Sequence, residues 1–116
     1  MDICSVIGVG HPEVSGALAL CFTKKAYLTV MESMLGEKYT DITPDIFDGA
    51  GEILNITFGG ARKNLADAGF NFEPAIPTIV AGNDIRLNSF ATQGKTQCYS
   101  LKVGSEKIHL LVAVSP

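Results

Sequence analysis

The stretch DIFDGAGEILNITFGGARKNLADAG, residues 45–69, is the most informative part of this 116-residue chain for predicting its fold. Its pattern predicts one long helix, with Thr43 as the N-cap, Pro44 at the first helical position and Gly69 as the C-terminal stop. The predicted helix nevertheless contains four internal glycines, and each costs about 0.5–1 kcal/mol relative to alanine. We therefore expect another surface to approach this helix closely enough to exclude a side chain.

The four glycines fall on two sides of the predicted helix. On a helical wheel, Gly51 and Gly59 border a polar strip, whereas Gly49 and Gly60 share another side. We expect Gly49 and Gly60 to admit a neighbouring helix or strand of the same chain. We expect Gly51 and Gly59 to let a partner molecule reach the strip.

The polar strip crosses an otherwise apolar helix. It consists of Asp48, Glu52, Asn55, Gly59 and Arg62. Periodicity by itself favours a solvated face over a catalytic site. Asp48 is equally compatible with support of the helix dipole at its first turn, and Arg62 with an ordinary charge near the helix end.

The rest of the chain predicts an α/β (α+β) fold with a largely antiparallel sheet and two main helices. Thr23 and Gly36 delimit the first helix, in which Tyr27, Met31 and Met34 have core spacing. Residues 13–22 are apolar or small on both faces, which is typical of a strand covered on both sides. The predicted strands are residues 2–9, 13–22, 75–81 and 85–87 and a hairpin of 96–103 with 107–114.

Composition excludes several classes of function. A net charge of −3 and a pI of about 5.2 argue against nucleic-acid binding, and no apolar run is long enough to span a membrane. No signal peptide is visible, so we expect a cytoplasmic protein. Three widely spaced cysteines, Cys4, Cys21 and Cys98, predict buried free thiols and neither a disulfide framework nor a zinc site.

The run MESMLGEKYTDITPDIFDGAGEILNITFGGARKNLADAGF, residues 31–70, resembles the CheX/CheC group of chemotaxis phosphatases, and CheX more closely. The elements that carry the resemblance are Met34-Leu35-Gly36, Asp48-x3-Glu52-x2-Asn55, Gly60-Ala61 and Ile76-Pro77-Thr78. The resemblance implies one CheC-like domain over residues 1–116. It also implies that the chain is shortened at its N-terminus relative to the family, with a single Glu-x-x-Asn helix.

The resemblance further implies a reaction. Proteins of this group hydrolyse the aspartyl phosphate of a CheY-type response-regulator receiver. Glu52 would contact the receiver's lysine and Asn55 would position the attacking water. Four further residues would support the site or bind the partner, because of their place on the helix or in the motif: Asp48, Gly51, Gly59 and Arg62. Mg²⁺ would come from the receiver, the chain would need no cofactor or metal of its own, and a homodimer joined through the sheets is implied.

Two alternatives to a phosphatase stay open at this point. One is a non-catalytic module on the same scaffold that binds a receiver or a flagellar-switch protein, and the other is an oligomerisation scaffold without a receiver partner. Only the phosphatase requires Asn55 itself. The binding module would tolerate a change at Asn55 but lose its partner when Gly51 or Gly59 is enlarged.

Overall fold

The described residues form an antiparallel sheet of five strands with two main helices against one face. The largely antiparallel sheet and the two helices are as the sequence predicts. The computed structural model describes residues 1–12, 15–73, 75–82 and 95–115. The sheet order is β3-β1-β2-β5-β4, and each pair of neighbouring strands is antiparallel. The elements are β1 Ile3–Gly10, β2 Ser15–Phe22, α1 Lys24–Leu35, α2 Pro44–Phe47, α3 Gly49–Asp67, β3 Thr78–Ala81, β4 Lys95–Val103 and β5 Glu106–Ser115. The strand predicted at 85–87 lies outside the described residues.

Local sequence signals set most of these boundaries. The Thr23 hydroxyl accepts a hydrogen bond from the Ala26 N–H at 3.1 Å, which caps α1 as predicted. Gly36 ends that helix in the left-handed conformation, with φ of 74°. Gly104, with φ of 61°, lies in the two-residue turn that joins β4 to β5. Gly69, at φ of 95°, follows the end of α3.

The long helix predicted from Thr43 is divided in two at Asp48. The buried Tyr27 hydroxyl donates to the Ile46 carbonyl. In an uninterrupted α-helix this carbonyl would accept from the Ala50 N–H. A side chain from α1 thus occupies one position of the hydrogen-bond ladder, which is a recognised cause of helix breaks. The prediction of a single helix was wrong because this contact joins residues distant in sequence.

The main core lies between the sheet and the helices. Ile3, Ile7, Leu20 and Phe22 project from β1 and β2 on this side, and their packing partners come from all three helices. The partners that are buried are Ala26, Tyr27, Met31, Ile46, Ala50, Leu54 and Phe58. Tyr27 and Met31 are thus core residues as predicted. Met34 is not, because half of its surface is exposed at the end of α1.

The opposite face of the sheet carries a smaller apolar cluster of Cys4, Ala19 and Cys21. In the described part of the chain no helix packs on this face, so the expected cover on both sides of residues 13–22 is present on one side only. Cys4 and Cys21 face each other in the β1–β2 register, with Cα atoms 4.1 Å apart, and form a disulfide. Cys98 is free and exposed. The prediction of three buried free thiols was therefore wrong, since strand pairing and not spacing brings residues 4 and 21 together.

None of the described helices combines the length and the apolar character that crossing a bilayer requires.

Candidate functional site

The Glu-x-x-Asn pair lies on the exposed side of α3. This helix buries Ala50, Gly51, Leu54 and Phe58 against the sheet. Glu52 and Asn55 are both exposed, and a helical advance of about 100° per residue places them on neighbouring lines of the surface. The helix therefore presents a carboxylate and a carboxamide together, one turn apart, on a projecting surface.

Gly51 has a role inside the chain and does not admit a partner. It is buried, and a Cβ atom added there would lie 3.1 Å from Pro77 Cγ and 3.3 Å from Ile79 Cδ1. The expectation that a partner molecule approaches through Gly51 was therefore wrong. The close approach of Pro77 instead fixes the segment before β3 against α3, directly beside the Glu52 turn.

Gly49 behaves as predicted, whereas Gly60 does not. A Cβ atom on Gly49 would lie 2.6 Å from Met31 Sδ and 2.7 Å from the Tyr27 hydroxyl. Gly49 thus clears the space in which α1 side chains reach the helix break. Gly60 is exposed and nothing lies within 4 Å of its Cβ position, so no neighbouring element of the chain requires it.

Asp48 lies at the junction of α2 and α3, and its side chain is exposed. It makes no side-chain cap, but its carbonyl accepts from the N–H groups of Gly51 and Glu52 at 3.1 and 3.2 Å. Burial raises the pKa of Tyr27 to about 12, against the Ala50 N–H bond that lowers it, and the Asp48 carboxylate adds to the rise. Asp48 is thus placed to anchor, through its carbonyl, the turn that carries Glu52.

A cleft of about 620 Å³ borders Asp48, and neither Glu52 nor Asn55 lines it. Lys24 and Asp41 form an ion pair at its wall, with nitrogen and oxygen 3.0 Å apart. The hydrogen bond and charge of the Lys24 ammonium, together with the Ile42 N–H, hold the pKa of the Asp41 carboxyl below its usual value, against desolvation, which raises it. This ion pair ties the beginning of α1 to the loop before α2.

The other end of the polar strip is basic. Nothing lies within 4 Å of a Cβ position on Gly59. The Arg62 Nε donates to the Phe72 carbonyl at 3.0 Å, and its guanidinium lies 5.9 Å from the centre of the Phe58 ring. A recess of about 290 Å³ is lined by Gly59, Arg62, Phe72 and the exposed Lys63. Arg62 is therefore held in place on the chain.

The arrangement is suited to chemistry on another macromolecule. Glu52 and Asn55 are exposed, and they line neither of the clefts described above. Among the described residues no group of three or more His, Cys, Asp or Glu side chains could hold a metal ion. An exposed carboxylate can pair with a cation, and a carboxamide offers both a donor and an acceptor to orient water. Both could enter a site that belongs to a partner.

Sequence reasoning missed two residues near the pair, Ile56 and Ile76. Ile56 is 67 % exposed and Ile76 is 92 % exposed. The signal for Ile56 was available, because position 56 follows Glu52 by one turn and lies on the opposite side from the buried Leu54. No local pattern gave the exposure of Ile76, which depends on how the segment before β3 packs on α3.

Comparison with known proteins identifies relatives of both the sequence and the fold. Residues 3–102 match the family described as chemotaxis phosphatase CheX. The CheY-P phosphatase CheX of Thermotoga maritima is 28 % identical over 90 residues, which are 77 % of this chain and 57 % of that protein. The chain thus spans little more than half the length of this curated relative.

Two solved structures illustrate the likeness of fold. A chemotactic CheC-like protein from Shewanella oneidensis is 30 % identical, with a TM-score of 0.91 over 98 % of this chain and 74 % of that one. CheX of Borrelia burgdorferi, solved in a complex with CheY, BeF3 and Mg²⁺, is 17 % identical. It shares the fold with a TM-score of 0.83 over 99 % of this chain and 77 % of that one. The match over most of its length and the CheC-like fold show that the chain belongs to the CheX family.

Proposed function

We propose that this chain accelerates hydrolysis of the aspartyl phosphate on a CheY-type receiver domain. The observation that carries the proposal is the exposed pair of Glu52 and Asn55 on α3 in a chain of the CheX family. The relative from Thermotoga maritima is named a CheY-P phosphatase, and CheX of Borrelia burgdorferi has been solved bound to CheY. Both support a phosphorylated receiver as the substrate.

The chemistry requires little from this chain beyond positioning. In the reaction, a water oxygen bonds to phosphorus as the bond from phosphorus to the aspartyl oxygen breaks. The products are the free carboxylate, inorganic phosphate and a proton. An acyl phosphate is already activated, and catalysis of phosphoryl transfer is largely positioning and charge stabilisation. The Asn55 carboxamide orients the water, and Mg²⁺ is supplied by the receiver, so the chain contributes no cofactor.

Glu52 and Asp48 have supporting parts in this proposal. The exposed Glu52 carboxylate pairs with the receiver's active-site lysine and so sets the depth at which Asn55 enters. Asp48 supports the turn through its carbonyl, which accepts from the Glu52 N–H at 3.2 Å. Gly59 leaves room for the receiver, and Arg62 lies at the border of that space, held by the Phe72 carbonyl.

We also propose that two copies associate through their sheets. The face of the sheet opposite the helices is apolar around Cys4, Ala19 and Leu111, and the described part of the chain supplies no helix to cover it. Sedimentation equilibrium of the whole chain tests this, since a dimer has twice the mass of the chain. A monomer at micromolar concentration would contradict the proposal.

The decay of a phosphorylated CheY-type receiver with Mg²⁺ tests the proposed reaction. We expect the wild-type chain to accelerate decay and Asn55→Ala to lose about 100-fold of that acceleration, because a misplaced reacting group costs about this much. Asn64→Ala is the matched control: it removes an exposed asparagine from the opposite side of the same helix. Equal acceleration by wild type and Asn55→Ala would show that Asn55 does not position the water.

A variant at Gly59 distinguishes catalysis from binding alone. Gly59→Leu fills open space beside Asn55 and should weaken receiver binding while the fold stays intact. If the wild-type chain binds the receiver without accelerating decay, the chain is a non-catalytic binding module. If Gly59→Leu and Asn55→Ala both leave a receiver complex and its decay unchanged, the strip is not the docking surface.

A further inference from the structure

The two most exposed large hydrophobic side chains among the described residues both lie beside the Glu-x-x-Asn pair. Ile76 is 92 % exposed and Ile56 is 67 % exposed, whereas the next, Leu35, is 53 % exposed. A single exposed apolar side chain needs no explanation, but a concentration of them marks an interaction surface. Their common location is therefore informative.

Ile56 flanks the pair on the solvent side of α3. It follows Glu52 by one helical turn and is adjacent in sequence to Asn55. The core-facing Leu54 is fully buried, and position 56 lies about 160° from it on the helix. The Ile56 side chain thus projects from the helix in nearly the same direction as Glu52.

Ile76 flanks the pair on the other side. The segment that carries it runs back along α3, since Phe72 accepts from Arg62 at one end and Pro77 meets Gly51 at the other. Ile76 is bonded directly to Pro77, so it lies within a few ångströms of the Gly51 turn. On the wheel, the Gly51 and Arg62 lines border Asn55 on the side away from Ile56. Asn55 therefore lies between the two isoleucines.

The charges around the pair are separated along α3. Asp48 and Glu52 are at its beginning, whereas Arg62 and Lys63 border the recess beyond Gly59. A partner that fits this surface places a cation at Glu52 and an anionic group at Arg62 and Lys63. The receiver of the proposed reaction supplies the first of these as its active-site lysine.

We infer that Ile56 and Ile76 are apolar docking contacts for the phosphorylated face of a CheY-type receiver, and that they set affinity without taking part in the reaction. This inference rests on the proposed function. The partner surface carries apolar side chains on both sides of the phosphorylated aspartate and an acidic group toward Arg62 and Lys63. Apolar contacts at the border of the pair exclude water from it, and this strengthens the polar interactions inside.

The experiment measures binding and turnover separately. Titration of a beryllofluoride-activated CheY-type receiver with Mg²⁺ gives Kd, and decay of the phosphorylated receiver at saturating and limiting concentrations of this chain gives kcat and KM. The variants are Ile56→Ser and Ile76→Ser. Leu101→Ser is the matched control. Leu101 is likewise an exposed large apolar residue, with 51 % of its surface exposed, but it lies on β4, at the sheet edge opposite to β3.

We expect each isoleucine variant to raise Kd and KM about 10-fold or more, with kcat within about twofold of wild type, because each loses the burial of one large apolar side chain. Leu101→Ser should leave all three constants unchanged. Unaltered Kd and KM in both isoleucine variants would overturn the inference while leaving the proposed reaction intact. A fall in kcat at unchanged KM would also overturn it.

Failure of the proposed function gives a different pattern. If the wild-type chain binds activated receivers without accelerating decay, the reaction is overturned, and weaker binding by the isoleucine variants still supports the docking surface. If the wild-type chain binds none of a panel of CheY-type receivers, both the reaction and the docking surface are overturned. Circular dichroism of each variant confirms that the substituted chains are folded.

Discussion

The first turn of α3 and its middle use glycine for different physical reasons. At Gly49 and Gly51 a Cβ atom would lie 2.6 Å from Met31 Sδ and 3.1 Å from Pro77 Cγ, respectively. At Gly59 and Gly60 nothing lies within 4 Å. The first pair avoids steric overlap with other side chains of the chain, and the second leaves the helix surface without projecting side chains. The comparison shows that glycine, repeated in one helix, can permit close packing in the first turn and leave the helix surface open in the middle.

The largest expected effect is at the crowded end, where Gly49→Ala should lower the free energy of unfolding by about 3 kcal/mol. The Met31 sulfur is at the end of a flexible side chain and can shift. The Tyr27 hydroxyl, 2.7 Å away, is held by its hydrogen bond to the Ile46 carbonyl. Urea denaturation measures the change. A loss smaller than about 1 kcal/mol would mean that α1 can retreat, and the contrast between the two glycine pairs would fail.

Tyr27→Phe should cost about 2 kcal/mol, since it removes from the helix break the hydroxyl that donates to the carbonyl of the buried Ile46. The same denaturation experiment measures it. If the variant matches wild type, the break at Asp48 does not depend on the hydroxyl, and α2 and α3 can join into the single helix that the sequence predicts.

The raised pKa of Tyr27 gives this prediction a dependence on pH. The pKa is about 12 in the folded chain against 10.0 in the unfolded chain, because burial disfavours the phenolate. The neutral hydroxyl therefore contributes its full stability below pH 10, and this contribution is lost as the pH rises toward 12. Stability curves of wild type and Tyr27→Phe should converge over that window. Parallel curves would show that Tyr27 titrates normally.

Gly51→Ala should cost about 1 kcal/mol, less than Gly49→Ala, because Pro77 Cγ and Ile79 Cδ1 at 3.1 and 3.3 Å must yield by only a few tenths of an ångström. The shift of Pro77 also moves the neighbouring Ile76. Thermal unfolding measures the cost, and receiver affinity reports the displacement. A gain in stability would place Gly51 with the open glycines and remove the distinction.

The smallest expected effect has the opposite sign. Gly60→Ala should stabilise the chain by about 0.5–1 kcal/mol, because the position is exposed, open and inside a helix. It also serves as the control for Gly49→Ala, since both replace a glycine of the same helix by alanine. Destabilisation at Gly60 would reveal a contact that the described residues do not provide.

Much of the fold could be predicted because its signals are local. Thr23 and Gly36 delimit α1 through a side-chain cap and a left-handed turn, and each involves residues only a few positions apart. The β4–β5 hairpin follows from alternation around Gly104 in the same way. The candidate pair could be predicted equally well, since Glu52 and Asn55 are separated by about one helical turn and their exposure was correctly expected.

The errors all concern the presence or absence of a neighbouring surface from a distant part of the chain. The disulfide joins Cys4 to Cys21 because antiparallel pairing of β1 and β2 sets them opposite each other. Met34 has core spacing, yet it projects beyond the packed region at the end of α1. Helical periodicity assigns a direction to each side chain, but it does not state where the neighbouring surface ends.

Residue types at short, regular spacing were sufficient to predict the caps of α1, the β4–β5 hairpin, the Glu-x-x-Asn pair and the family to which the chain belongs. Contacts made across the fold set the break at Asp48, the distinction between crowded and open glycines and the exposure of Ile76. These depend on which atoms meet across the fold. Packing at near-crystalline density makes a difference of one carbon atom decisive there.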